Sequence, residues 1–110
     1  MESTLTDVES FVMTILAFFT KKELQRVQKD INLLRGESET DLKFCLISKK
    51  EIDDTQALIK LLNNIRAVKD IKKVKLPSKK EIEDLYSSYV KTQQAIIELG
   101  QKAVSELRKR

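Results

Sequence analysis

Histidine and tryptophan are both absent from this chain, which holds a single cysteine, a single proline and only two glycines in 110 residues. Without histidine and without a paired CxxC, the usual parts of a metal centre or a nucleophile–base pair are missing. No glycine-rich phosphate loop and no nucleophile elbow occurs either. No enzymatic activity, no metal and no cofactor is therefore expected. One cysteine, Cys45, cannot form an intramolecular disulfide, so the chain carries no sign of an oxidising compartment and a cytoplasmic protein is expected. Flanked by Phe44 and Leu46, Cys45 reads as a small buried apolar residue.

Long hydrophobic runs are also lacking. The longest apolar stretch lies between Phe11 and Phe19, well short of the roughly 20 residues needed to span a bilayer. Acids (Glu2, Asp7, Glu9) precede it where a signal peptide would carry positive charge. No membrane association is expected. With so few turn formers and abundant Leu, Lys, Glu and Ile, helix must cover most of the chain. The length suits one domain. The expected fold class is all-α, a single-domain helical bundle over residues 1–110, with four to five helices and a long C-terminal one.

The helix starts are marked. Thr6-Asp7-Val8-Glu9 has the form of a capping box, in which a hydroxyl and a carboxylate three residues apart answer each other's backbone N–H. The same punctuation recurs as Thr20-Lys21-Lys22-Glu23, Ser48-Lys49-Lys50-Glu51 and Ser78-Lys79-Lys80-Glu81. These three copies share little beyond an apolar residue after the Glu, so they read as three capping boxes, with an old duplication of a helical unit as the other possibility.

Four long segments follow from the spacing. A helix over about residues 7 to 19 carries apolar residues round a wide arc, suiting either the centre of a bundle or a face that docks on a partner. Phe11, Ile15, Phe18 and Phe19 are its candidate partner-binding residues, against the plainer reading that they are core. A second helix from Thr20 carries Leu24, Val27, Ile31 and Leu34 at helical spacing, with Gly36 expected in a left-handed conformation at its end. Leu42 to Ile47 could be a helical turn and a half or a brief strand, with helix favoured for want of a strand partner. A third long helix from Ser48, with Ile52, Leu58, Leu61, Leu62, Ile65 and Val68 on one face, should end near Asp70 to Lys73, followed by a connector over Val74 to Pro77. The last helix, Lys79 to about Arg108, carries Ile82, Tyr86, Tyr89, Gln93, Ile96, Gly100, Ala103 and Leu107 at alternating steps of four and three, the heptad spacing of a packed stripe.

Charge is uneven. Lys and Arg number 21 against 17 acids, a net charge of +4, yet the stretch from Arg66 to Lys80 holds Arg66, Lys69, Lys72, Lys73, Lys75, Lys79 and Lys80 against the one acid Asp70. Such density suits contact with phosphates, driven by counterion release and indifferent to sequence. No Asn, Gln or aromatic lies within it to read or stack on bases. The competing reading is a solvated surface gathered at a helix C-terminus by the dipole. The acid pairs Asp53-Asp54 and Glu83-Asp84 sit in first helical turns, where the dipole alone accounts for them. The expected function is a small helical subunit or adaptor that packs on protein, with a partner or as a homodimer, and touches a nucleic-acid backbone through its lysines. The alternative is a purely protein-binding or architectural bundle.

Overall fold

Hydroxyl caps start every α-helix of the fold. A computed structural model describes residues 4–109, in the order α1 (Asp7–Ala17), α2 (Lys21–Arg35), α3 (Glu39–Phe44), α4 (Lys49–Val68), a 3-10 turn at Ile71–Lys73, and α5 (Lys79–Arg108). Among the described residues there is no strand: this is an all-α bundle with a long C-terminal helix. Thr6, Thr20, Ser38, Ser48 and Ser78 each accept the backbone N–H three residues on. The reciprocal bond that completes a capping box forms only at Thr6 and Ser48. Glu23 instead turns to Arg26, 2.9 Å away, so the punctuation reading holds with fewer closed boxes than the motif suggests.

The left-handed positions also fall elsewhere than expected. Gly36 is right-handed (φ −82°), because α2 ends in i→i+3 bonds from Gly36 and Glu37 to Leu33 and Leu34 and needs no reversal. Leu46 (φ 58°) and Lys69 (φ 63°) take the left-handed region instead. At Leu46 the bonds Leu46 N to Lys43 O and Ile47 N to Leu42 O close α3 as a Schellman motif. Leu42 to Ile47 thus divides into the end of a short helix and its cap, and α3 starts three residues earlier than that run.

The core is continuous through all the helices. Leu24, Val27, Ile31 and Leu34 of α2 are buried as their spacing requires, and so are Ile52, Leu58, Leu62 and Ile65 of α4. On α4 the buried face also takes in Thr55 and Ile59, while Val68 is exposed, since α4 stops at Val68 and Lys69 turns the chain away. Ile71 and Val74 are buried and pin the short return to α5.

α5 runs back antiparallel along α4, with Thr92 bonded to Thr55 and Ser88 to Asp54. Its buried residues are Ile82, Ser88, Thr92 and Ala95. The expected heptad stripe is therefore a correction: Tyr86 and Gly100 lie in solvent, and the small residues Ser88, Thr92 and Ala95 face α4, allowing the two backbones to come close. Thirty residues of α5 span roughly 45 Å at ~1.5 Å each, against roughly 30 Å for α4. The last turns of α5 overhang the bundle, and the molecule measures 67 × 25 × 18 Å.

Candidate functional site

The seven cations of the Arg66–Lys80 stretch gather at one end of the α4–α5 hairpin, but they do not share one role. The guanidinium of Arg66 donates to the carbonyl of Phe19, just past the end of α1, and at 3.4 Å to that of Leu16, which also accepts the N–H of Phe19. The ammonium of Lys72 donates to the carboxylate of Glu9 and to the carbonyl of Thr4. That bond, helped by the Thr6 backbone N–H, holds the Glu9 carboxyl below its ordinary value of 4.5. Lys79 lies over the Phe11 ring, 5.6 Å from its centroid. Three of the seven therefore fasten α1 to the bundle.

The other four face water. Lys69 occupies the left-handed cap of α4, and Lys73 and Lys75 flank the buried anchor Val74, so that burying Val74 turns its neighbours outward. Asp70, the one acid of the stretch, accepts the N–H of Lys72 at 3.0 Å and caps the 3-10 turn. No ion pair within 4.0 Å is formed by Lys69, Lys73 or Lys75 among the described residues, and Lys80 has only a loose, exposed contact of 3.9 Å with Asp84. What the fold leaves is three lysines without an ion-pair partner in the α4–α5 connection, Lys69, Lys73 and Lys75, followed in the first turn of α5 by Lys80 with its loose contact.

The aromatic end of α1 divides the same way. Ile15 and Phe19 are buried, Phe11 is half-buried, and Phe18 is 73% exposed. Phe19 meets Tyr89 of α5 edge-on, with ring centroids 4.9 Å apart. Two of the four candidate docking residues are thus internal to the fold, and Phe18 alone stands out in solvent. The acid pairs lie one turn further in than expected, since only Glu51 and Glu81 are in the first turns; Asp53 pairs with Arg35, Asp54 with Lys50, and Asp84 lies 3.9 Å from Lys80. Cys45 is buried, and burial pushes its thiol upward in pKa, opposite to what a reactive thiol requires.

Two further surfaces emerge from the tertiary arrangement. The overhanging part of α5 forms, with α2 and α3, an open groove of about 500 Å³. Leu33, Leu99, Gly100 and Ala103 line it, with Lys102 bonded to Asp41 at its side. On the outer side of α5, Val90, Ile97 and Val104 are exposed at intervals of seven. That interval was present in the sequence beside the stripe through Ile82 and Ile96, and only packing separates the two. No helix among the described residues is long and apolar enough to cross a membrane. No family model, no curated protein and no solved structure matches this chain.

Proposed function

We propose that this protein is a small, non-catalytic helical adaptor that contacts a nucleic-acid backbone through Lys69, Lys73, Lys75 and Lys80. The supporting observation is that these four exposed lysines follow one another from the end of α4 to the first turn of α5, three of them without an ion-pair partner and Lys80 with only a loose one, while Arg66, Lys72 and Lys79 are occupied in holding α1. Polyanion binding of this kind reads no sequence, because it exchanges condensed counterions for ammonium groups. Four phosphate contacts give a slope of about −3.6 in log K against log salt on duplex DNA. The test is fluorescence anisotropy on duplex and single-stranded oligonucleotides across a salt series. Binding should weaken steeply with salt and be lost in the variant carrying Lys69→Glu, Lys73→Glu, Lys75→Glu and Lys80→Glu. No binding at low salt, or the same binding by that variant, would remove the proposal.

A second reading, a purely protein-binding bundle, is favoured by a different observation, the row of exposed apolar residues along α5. It predicts no oligonucleotide binding at any salt concentration.

A further inference from the structure

The exposed residues of α5 make a seam. Tyr86, Val90, Ile97, Val104 and Leu107 are between 37 and 64% exposed, and with the exposed Gly100 and the half-buried Gln93, which donates to the Tyr89 hydroxyl and accepts from Arg26 of α2 at 3.5 Å, they step along the helix by four, three, four, three, four and three. That is the a/d pattern of a coiled coil, with the β-branched Val90, Ile97 and Val104 at a and Tyr86, Gln93, Gly100 and Leu107 at d. It is separate from the face buried against α4. It begins at Tyr86, since the preceding positions in register are Lys79 and Glu83, and covers roughly 32 Å of helix.

Gly100 adds an independent observation. A glycine inside a helix costs about 1 kcal/mol relative to alanine, and a Cβ built there meets nothing within 4 Å. Nothing in the protomer requires glycine at this position, and the space beside it is open for a side chain from outside.

We infer that α5 pairs through this seam with α5 of a second copy of the chain, antiparallel. An antiparallel pair sets each a residue against a d residue of the partner helix, and one register pairs every position from Val90 to Leu107, with Tyr86 beyond the paired stretch. Ile97 enters the space at Gly100, Val104 packs on Gln93, and Val90 packs on Leu107, each layer occurring twice about the two-fold axis. A parallel pair would instead place glycine on glycine and leave a void. The flanking positions are uncharged on both sides as far as Ala103: Ser87, Gln94 and Gln101 on one, Tyr89, Ile96 and Ala103 on the other. A second copy thus brings no like-charge clash to the strip until Arg108, which falls beside Ser87 of the other helix. The antiparallel arrangement also opposes the helix dipoles favourably. One helix width is small against the ~800 Å² that each partner gives to a standard interface, so the dimer forms in the micromolar range. In it the two lysine turns lie roughly 60 Å apart, at opposite ends.

Sedimentation equilibrium of the full chain, from low to several hundred micromolar and without nucleic acid, should show a monomer–dimer equilibrium. Ile97→Glu should weaken it at least tenfold while leaving the monomer's melting curve intact, because Ile97 touches no core. Mixed under oxidising conditions, the Val90→Cys and Leu107→Cys variants should cross-link to each other, and Val90→Cys should not cross-link to itself; Cys45 is buried and silent. A monomer at every concentration, dimerisation unaffected by Ile97→Glu, or self-linking of Val90→Cys in place of the mixed product would overturn the inference. The dimer, being apolar, should persist in high salt, which separates its outcome from that of the oligonucleotide experiment.

Discussion

Thr55 and Thr92 share a hydrogen bond of 2.8 Å between their hydroxyls, both wholly buried where α4 meets α5. Thr55 also donates to the carbonyl of Glu51 at 2.8 Å. A hydroxyl has one proton, so Thr92 must be the donor between the two. The dependence is therefore one-sided: Thr55 keeps its donor satisfied without Thr92, while Thr92 has no other partner. Thr55→Val should cost about 1–3 kcal/mol, and Thr92→Val less. The double variant should cost less than the sum of the two, read by urea denaturation as a double-mutant cycle. Strict additivity would mean that the bond carries no coupling.

Arg66 should act on a helix fifty residues away in sequence. Arg66→Met removes the donor to the Phe19 carbonyl, while that of Leu16 keeps the N–H of Phe19. The expected result is a loss of about 1–3 kcal/mol, with faster hydrogen exchange concentrated in the amides of α1. Exchange that accelerates uniformly over the chain would show that α1 is not separately held by this side chain.

Neighbouring phenylalanines should respond in opposite ways. Phe19→Ala empties a core site against Tyr89 and should cost about 3–5 kcal/mol. Phe18→Ser removes a side chain that is 73% exposed and should change stability by no more than about 0.5 kcal/mol. Thermal melts of the two variants are sufficient to check the pair, and equal losses would contradict the burial of one and the exposure of the other.

Stability should fall in acid. Lys72 holds the Glu9 carboxyl below 4.5, and Lys102 holds that of Asp41 below 3.8. A carboxylate with a depressed folded pKa contributes fully above its unfolded value and loses that contribution as pH drops through the folded one. Asp30 works in the other direction, since burial raises it above 3.8. The melting temperature should therefore decline from about pH 4.5 downward, and Lys72→Met should flatten part of the decline. An unchanged acid slope in that variant would rule out the Lys72–Glu9 bond as a cause.

Leu46 offers a gain. It sits left-handed at the end of α3 and is 84% exposed, a conformation that costs a side chain roughly 1–2 kcal/mol. Leu46→Gly should raise the denaturation midpoint, by about 1 kcal/mol after the added freedom of the unfolded chain is subtracted.

Much of this architecture was legible in the residues. Hydroxyls at positions 6, 20, 48 and 78 mark the N-caps of the four long helices because capping is local, decided within three residues of the start. The core of α2 was legible for a similar reason, since Leu24, Val27, Ile31 and Leu34 form one narrow stripe. On α5 the same reasoning found only the edge of the buried face: Ile82 is buried and Tyr89 and Ile96 pack on the core, while Tyr86, Gly100, Ala103 and Leu107 are exposed. Its helix carries several stripes at heptad spacing, and the one nearest α4 has small residues at its centre: between Leu85 and Leu99 it runs through Ser88, Thr92 and Ala95, which suit close approach, a property that hydrophobicity does not register. The lysine stretch was legible as charge but not as division of labour, because the partners of Arg66, Lys72 and Lys79 lie more than forty residues away.

The sequence by itself determined that the chain is helical, where its four long helices begin and that positive charge gathers before α5, all consequences of short-range spacing and composition. Only the tertiary structure decided which lysines are left to a partner, which of two adjacent phenylalanines is core, and which side of α5 stays uncovered. Each of those depends on what the opposite helix brings to the contact, and no local pattern records that.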